Sequence, residues 1–422
     1  MEYKYRLMQE QFEITSEIMR IVLICGPRQC GKTTLMKHML GTEDGFVSFD
    51  YPETLQYASD APRSFLKRYL MDYQRMAIDE FQKLPGILSI LKAYVDEHEE
   101  TGRIFLSGSS NFKTLPTTQE SMAGRLGEIR LRTFCEAEKI GYNNLFLKRL
   151  LKQDYGKNLP FDCANKEEIL KRALCGGYPA VLGKEAELRR EWFRNYLQAI
   201  VEKDLLDVGS FRKKDAISTI LQTISAFSSR LVNFREIAQA TDIDQRTVKN
   251  YVQALQTMFL IDEVPAWKKR LNVKFGTQSK WFMTDTGLMA FLQGHNDYRY
   301  FHSWVQTSGK IGSDFVGNLV ETFVYTQLAP CVDKMNDWKI FHVRSAQRYE
   351  IDFLLIHESG RKIAIEVKSS DNVSTLDFKN IEWFRRINSD ETIQGVVLYS
   401  GNEVREYGNS NVALPIAKFW MD

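Results

Sequence analysis

No uninterrupted apolar run in this 422-residue sequence reaches the roughly 18 residues of a membrane-spanning helix, so no membrane partner is expected. The first ten residues, Met1 to Glu10, mix acids, bases and aromatics around no apolar centre, so no secretory signal is expected either. The six cysteines (Cys25, Cys30, Cys135, Cys163, Cys175, Cys331) lack metal-ligand spacing. Without a signal they read as reduced thiols rather than a disulfide framework, and the expectation is a cytoplasmic protein. One-sided charge is missing too. The net charge is +2, so affinity for nucleic acid has to come from local patches. Internal repeats, low-complexity segments and disordered tails are also lacking.

What is present is the balance of a globular protein, with 44% hydrophobic and 26% charged residues over a length that favours two to four domains. The first third alternates short apolar runs with helical patterns, as parallel-sheet α/β proteins do. The expected strands are Ile21–Ile24, Phe46–Phe49, Met76–Ile78, Ile104–Leu106 and Glu128–Leu131, with helices over Thr33–Leu40, Pro62–Leu70 and Ile87–Glu97. From about Gly141 to Phe227 the pattern is almost wholly helical, broken at Cys175-Gly-Gly-Tyr-Pro179. Asn233 to Trp267 reads as helix, turn, helix, apolar strand, and an aromatic stretch without clear period runs from His295 to Lys310. A helix at Phe315–Leu328 then precedes strands at Lys339–Val343, Glu350–Ile356, Lys362–Lys368 and Gly395–Tyr399. These changes of pattern place domains at 1–140, 141–228, 229–299 and 300–422.

The strongest motif follows the first strand. Gly26-Pro27-Arg28-Gln29-Cys30-Gly31-Lys32-Thr33-Thr34 matches Gly-x-x-x-x-Gly-Lys-Ser/Thr between a buried strand and a helix, the context a phosphate-binding loop requires. The glycines let backbone N–H groups and the helix N-terminus face the phosphates of ATP. Lys32 is expected at the β- and γ-phosphates, and the Thr33 hydroxyl on Mg²⁺. Downstream, Arg75-Met-Ala-Ile-Asp79-Glu80 is an apolar strand ending in two acids. Asp79 is expected to hold Mg²⁺, and Glu80 to orient or deprotonate the attacking water. Two weaker elements follow. Ser107-Gly-Ser109-Ser110-Asn111 could sense the γ-phosphate or be a polar loop. Arg125, in Ala123-Gly-Arg125, could reach the γ-phosphate of a neighbouring subunit or be a surface arginine.

In this order, Gly26-Pro-Arg-Gln-Cys-Gly-Lys-Thr-Thr-Leu, Ile78-Asp-Glu-Phe-Gln, Leu106-Ser-Gly-Ser-Ser, Ala123-Gly-Arg and Gly176-Gly-Tyr-Pro resemble prokaryotic AAA-family ATPases of the archaeal and STAND-like type. These carry a C-terminal domain of unknown function. The resemblance implies an ASCE-type core with Glu80 as catalytic base, Ser109 or Ser110 as sensor and Arg125 as a finger-like arginine. It also implies a helical lid over 141–228 from which Pro179 closes on the nucleotide base. Cys30 stands where an aliphatic residue is expected, and marks the loop as a candidate for oxidation.

Phe234-Arg-Glu-Ile-Ala-Gln-Ala, Thr241-Asp-Ile-Asp244 and Gln245-Arg-Thr-Val-Lys-Asn-Tyr-Val-Gln-Ala-Leu read as a helix-turn-helix with Asp244 as N-cap. Phe259–Val264 and Lys280–Met283 would supply the strands of a wing, with Lys268, Lys269, Arg270 and Lys274 between them. In one reading Gln245, Arg246, Lys249 and Asn250 enter the major groove of double-stranded DNA. In the other the winged helix packs on the ATPase core and relays nucleotide state. The acids Asp242, Asp244, Asp262 and Glu263 weaken the basic footprint.

Glu350-Ile-Asp352-Phe-Leu-Leu-Ile and Arg361-Lys-Ile-Ala-Ile-Glu366-Val-Lys368 read as a hairpin that brings Asp352 beside Glu366 and sends Lys368 to the same face. Two close carboxylates facing a lysine can hold Mg²⁺ and steady a hydroxide against a phosphodiester. The arrangement resembles the restriction-endonuclease-like superfamily, in which a helix adds another acid, and Glu321 fits that position. Ile351 stands where a proline is usual.

The expected protein is therefore an α/β P-loop ATPase using ATP and Mg²⁺, joined through a lid and winged helix to a nuclease-like module acting on DNA. The alternative is a regulatory ATPase that binds protein partners or copies of itself, with a silent C-terminal domain.

Overall fold

The computed structural model describes residues 3–109, 122–200, 214–231, 233–268, 276–388 and 392–421. Contacts divide the chain into two units, one of residues 1–133 with 256–260, the other of 134–255 with 261–422.

The first unit is organised by five short strands: β1 (Ile21–Cys25), β2 (Gly45–Ser48), β3 (Met76–Asp79), β4 (Ile104–Gly108) and β5 (Leu126–Arg130). All run parallel in the order β2-β3-β4-β1-β5. Every residue of β1, β3 and β4 is buried, as strands covered on both faces must be. The helices are α1 (Gln9–Ile18), α2 (Lys32–Met39), α3 (Pro52–Asp60), α4 (Pro62–Asp72) and α5 (Ile87–Glu97). Proline opens both α3 and α4, where its missing N–H costs nothing. One cluster around Leu23, Phe65, Ile78, Leu91 and Leu106 fills one face of the sheet, and another around Phe12, Val22, Met36 and Phe105 fills the other. The topology places β4 between the strand that feeds the phosphate loop and the strand that ends in Asp79.

The second unit opens with helices α6 (Glu136–Lys139), α7 (Phe146–Lys152), α8 (Phe161–Ala164), α9 (Lys166–Cys175), α10 (Ala186–Ala199) and α11 (Lys214–Ala226). Next come α12 (Phe234–Thr241), α13 (Gln245–Thr257) and the antiparallel pair β6 (Ile261–Val264) and β7 (Lys280–Met283). Asp244 caps α13, accepting from the N–H groups of Arg246 (2.9 Å) and Thr247 (3.1 Å). The segment from His295 to Lys310 is more ordered than its composition promised. Helix α15 (Tyr298–Thr307), preceded by α14 (Thr286–Leu292), stacks Phe301 and Trp304 against His295. The helix expected at Phe315–Leu328 is α16, which runs from Gly309 to Met335. None of the described helices is long and apolar enough to cross a membrane.

The remaining strands, β8 (Trp338–Arg344), β9 (Glu350–His357), β10 (Lys362–Lys368), β11 (Ile393–Tyr399), β12 (Arg405–Glu406) and β13 (Asn411–Pro415), form a mixed sheet in the order β12-β13-β11-β10-β9-β8. The hairpins β8–β9 and β9–β10 are antiparallel. Helix α17 (Lys379–Ile387) then carries the chain over to β11, which lies parallel to β10.

Candidate functional sites

The phosphate loop lies between β1 and α2. A Cβ at Gly26 would fall 2.0 Å from the Leu131 carbonyl oxygen, and Gly31 sits at φ +102°, so neither position tolerates a side chain. Gln29 also adopts positive φ, at 60°. Arg6 pins the loop from outside, donating to the carbonyl oxygens of Cys30 (2.9 Å) and Arg132 (2.6 Å). Cys30 is fully buried, with Sγ 3.4 Å from the Leu131 carbonyl oxygen. Its thiol is packing material, and the expected oxidation target has no access. Lys32 folds back on the loop, donating to the carbonyls of Gly26 (3.0 Å) and Pro27 (2.9 Å).

Thr33 Oγ1 donates to Asp79 Oδ2 at 2.9 Å, and Ser107 Oγ donates to Asp79 Oδ1. The serine reaches across because β4 separates β1 from β3. Hydroxyl and carboxylate together are hard oxygen donors, and Thr33 and Asp79 would hold a Mg²⁺ that neutralises phosphate charge. Glu80 follows in a left-handed conformation (φ 55°) that ends the strand. Its carboxylate accepts from Gln82 Nε2 and, at 3.4 Å, from Ser109 Oγ. Thr34 is exposed at the first turn of α2, and Arg28 is half-buried. Ser110 lies outside the described residues.

Arg125 immediately precedes β5, at the edge of the parallel sheet where strands begin, while the loop leaves from the edge where they end. Five residues of strand, about 16 Å at 3.3 Å per residue, separate the two edges. Its guanidinium forms a two-pronged pair with Asp96, which raises the arginine's pKa and lowers the carboxyl's through their hydrogen bond. Arg125 does not serve the phosphate loop of its own subunit.

In the second unit Gly177 N donates to Asp285 Oδ2 at 2.7 Å, while Asp285 Oδ1 caps α14 at Leu288 N (2.9 Å). This locks the Gly176-Gly177-Tyr178-Pro179 segment onto α14, and Pro179 starts a short 3-10 turn. Gln245, Arg246, Lys249 and Asn250 are all exposed on α13. Asp262 is not part of that surface, because it is buried and accepts from Tyr325 Oη at 2.6 Å. Lys269, Arg270 and Lys274 lie outside the described residues. A small apolar pocket lined by Ile224, Phe227, Ile237, Val252 and Trp281 among others shares no residue with either site.

The hairpin β9–β10 pairs Phe353 with Ile365, so one step along the ladder Asp352 faces Glu366. Asp352 Oδ2 accepts from Val367 N at 2.9 Å. Glu366 accepts from Lys368 Nζ (3.2 Å) and from Asn380 Nδ2 on α17 (3.3 Å). The next participant is one that sequence reasoning missed. Lys280, at the start of β7 and only 2% exposed in its side chain, points its ammonium at Glu321 (2.8 Å), Glu350 (2.7 Å) and Asp352 (3.3 Å). Arg344 adds a further contact to Glu350 at 3.2 Å. A lone lysine opening an apolar strand was the available signal, hidden by its place in an expected wing.

One ammonium cannot neutralise three carboxylates. Burial opposes the charge on Lys280, but the surrounding acids hold its pKa well above the usual lysine range. Burial and the neighbouring Asp352 push Glu321 up to about 8, and Glu366 likewise to about 8. Glu350 falls below its ordinary value despite burial, because Lys280 and Arg344 face it. Among the described residues no group of three His, Cys, Asp or Glu side chains is arranged as a ready metal site.

With this geometry in place, residues 19–140 match the AAA domain family. That segment has the parallel-sheet α/β fold of P-loop NTPases. Residues 166–299 and 316–419 match two domains of unknown function, DUF8612 and DUF4143. Uncharacterized proteins of Mycobacterium tuberculosis and Mycobacterium bovis are each 24% identical to this chain over 354 residues, covering 84% of it and 71% of each relative. Among solved structures, a STAND protein with a tetratricopeptide repeat sensor from Pyrococcus horikoshii aligns at 13% identity with a TM-score of 0.28. The alignment covers 79% of this chain and 52% of that one, so this chain spans about half its length. A likeness at that level bears on neither fold nor activity.

Proposed function

We propose that the chain hydrolyses ATP with Mg²⁺ at its AAA domain and couples nucleotide state to the rest of the chain. The observation that carries this reading is the Asp79 carboxylate held by Thr33 from the phosphate loop, with Glu80 next in sequence and poised on Ser109. In it the backbone of Gly26 to Thr34 cradles the phosphates, Lys32 contacts the β- and γ-phosphates, and Thr33 and Asp79 hold Mg²⁺. Glu80 is the base and Ser109 the sensor. Arg125 acts, if on any phosphate, on that of a neighbouring copy, a role that requires a homo-oligomer. The test is turnover and binding of ATP. Lys32→Ala should abolish binding, and Glu80→Gln should bind but not turn over; full turnover in Glu80→Gln overturns the assignment of the base.

For the C-terminal domain two readings compete. Long helix, three antiparallel strands, helix and parallel strand, with Asp352, Glu366 and Lys368 on one face and Glu321 nearby, support a restriction-endonuclease-like fold with a Mg²⁺ site. The contacts of Lys280 favour the quieter reading. Both oxygens of Asp352 and both of Glu366 already have protein donors, leaving little for a hard cation. We therefore favour a domain that binds a partner without cutting it, with the segment 229–299 acting as a winged helix. Incubation with double-stranded plasmid DNA, Mn²⁺ and ATP decides the matter, since cleavage that disappears in Asp352→Asn restores the nuclease reading.

A further inference from the structure

We infer that Gln82 is a second catalytic residue of the ATP site, holding Glu80 with its amide nitrogen and the attacking water with its amide oxygen. The inference deepens the hydrolysis reading above and rests on it. Gln82 lies in a one-turn 3-10 helix, Phe81–Lys83, that directly follows Glu80. The turn is anchored by the buried ring of Phe81 and closed by Lys83 N to Glu80 O (3.1 Å) and Leu84 N to Phe81 O (3.0 Å). Gln82 therefore has a fixed base from which to act.

Its amide is used unevenly. The nitrogen donates both to Glu80 Oε2 and to Ser109 Oγ (3.1 Å), and Ser109 Oγ in turn lies 3.4 Å from the same Glu80 oxygen. The three side chains thus close a triangle between the ends of β3 and β4. The amide oxygen is buried and has no hydrogen-bond partner among the described residues. A buried acceptor left unmade is costly, so a residue that served only to hold Glu80 would be poorly built. A small donor at that oxygen removes the cost. Water is such a donor, and its second hydrogen then lies toward the Glu80 carboxylate.

The chemistry balances with these two groups. The water oxygen forms a bond to the γ-phosphorus as the bond from that phosphorus to the β–γ bridging oxygen breaks. ADP leaves with the electron pair. One water proton passes to the Glu80 carboxylate and later to solvent. The other, oriented by the Gln82 oxygen during the approach, stays on the oxygen now bonded to phosphorus, so the products are ADP and inorganic phosphate.

The experiment compares full-length wild type, Gln82→Met, Gln82→Glu, Glu80→Gln and the double variant Glu80→Gln/Gln82→Met, using Mg·ATP and a fluorescent ATP analogue for binding. Gln82→Met keeps the side-chain volume and should lower kcat by about 100-fold with KM and analogue affinity within about twofold. The double variant should be no slower than Glu80→Gln by more than about threefold, since the two act on one water. Gln82→Glu keeps an acceptor oxygen but loses the amide donor to Glu80, so it should bind the analogue as wild type does and lower kcat by about 10-fold or more. Retained kcat in Gln82→Met or in Gln82→Glu, or loss of kcat and binding together, overturns the inference alone. No turnover by the wild type overturns the hydrolysis reading and this inference with it.

Discussion

Thr33 on the phosphate loop and Asp79 on β3 are joined by a hydrogen bond of 2.9 Å although a whole strand lies between the strands that present them. The bond ties the residue after Lys32 to the acid that ends β3. Thr33→Ala should keep ATP binding but raise the Mg²⁺ concentration needed for half-maximal turnover by about 10-fold or more, since one of the two protein oxygens proposed for the metal is lost. A Mg²⁺ titration of the ATPase rate checks this, and an unchanged midpoint would place the metal elsewhere.

Arg125 offers a test of assembly. Its pair with Asp96 is exposed, so Arg125→Ala should leave the thermal midpoint unchanged. If a neighbouring copy uses this arginine, wild-type turnover per chain should rise with protein concentration while that of Arg125→Ala stays low and flat. Equal rates for the two proteins at every concentration would make the residue a surface arginine.

Lys280 is expected to be the costliest single lysine to replace. Lys280→Met leaves Glu321, Glu350 and Asp352 facing one another without their shared cation, which should destabilise the second unit by about 3–5 kcal/mol. Chemical denaturation followed by tryptophan fluorescence measures it. A loss below about 1 kcal/mol, the worth of a surface pair, would mean that water has access to the cluster.

The two raised carboxyls give stability a direction with pH. Glu321 and Glu366 titrate at about 8 when folded and near the ordinary glutamate value of about 4.3 when unfolded, so the folded state binds their protons more tightly. Their contribution is full below about pH 4.3 and is lost as pH rises to 8, by at most about 1.4 kcal/mol per unit for each group. The thermal midpoint should therefore fall between pH 5.5 and 8, and Glu366→Gln should flatten that fall. A midpoint that climbs over this range in the wild type would show that neither carboxyl is protonated in the fold.

For the helix-turn-helix segment, Arg246→Glu with Lys249→Glu reverses two exposed charges on α13. If this face meets double-stranded DNA, binding should weaken and its dependence on salt should become shallower, by a slope of about 0.9 for each phosphate no longer neutralised. Fluorescence anisotropy at several salt concentrations reads both. An unchanged slope would remove DNA from this helix.

Strands β1, β3 and β4 are legible in the sequence because they are short apolar runs ended by glycine or acid, and burial on both faces leaves no polar alternation to misread. Strand ends shift by at most two residues, as with β5, which begins at Leu126 rather than Glu128, because pairing rather than hydropathy sets them. The segment after His295 is hard to read for a different reason. Its aromatic residues look irregular in sequence, yet Phe301 and Trp304 fall three apart and share a face once α15 forms. Lys280 is invisible as a partner of the acids because its carboxylates lie 41 to 72 residues away, and only the fold brings them within reach. Ser107 and Gln82 stand inside or beside recognisable motifs, but no spacing rule assigns a partner to a side chain one strand over.

The acid cluster also sets where the chain can be divided. Lys280 belongs to the segment that matches one domain of unknown function, while Glu321, Glu350 and Asp352 belong to the segment that matches the other. A fragment beginning at Gly309 would carry the acids into solution without the ammonium that belongs among them. The two segments are thus bound by charge: exchanging either alone would separate an ammonium from its complement.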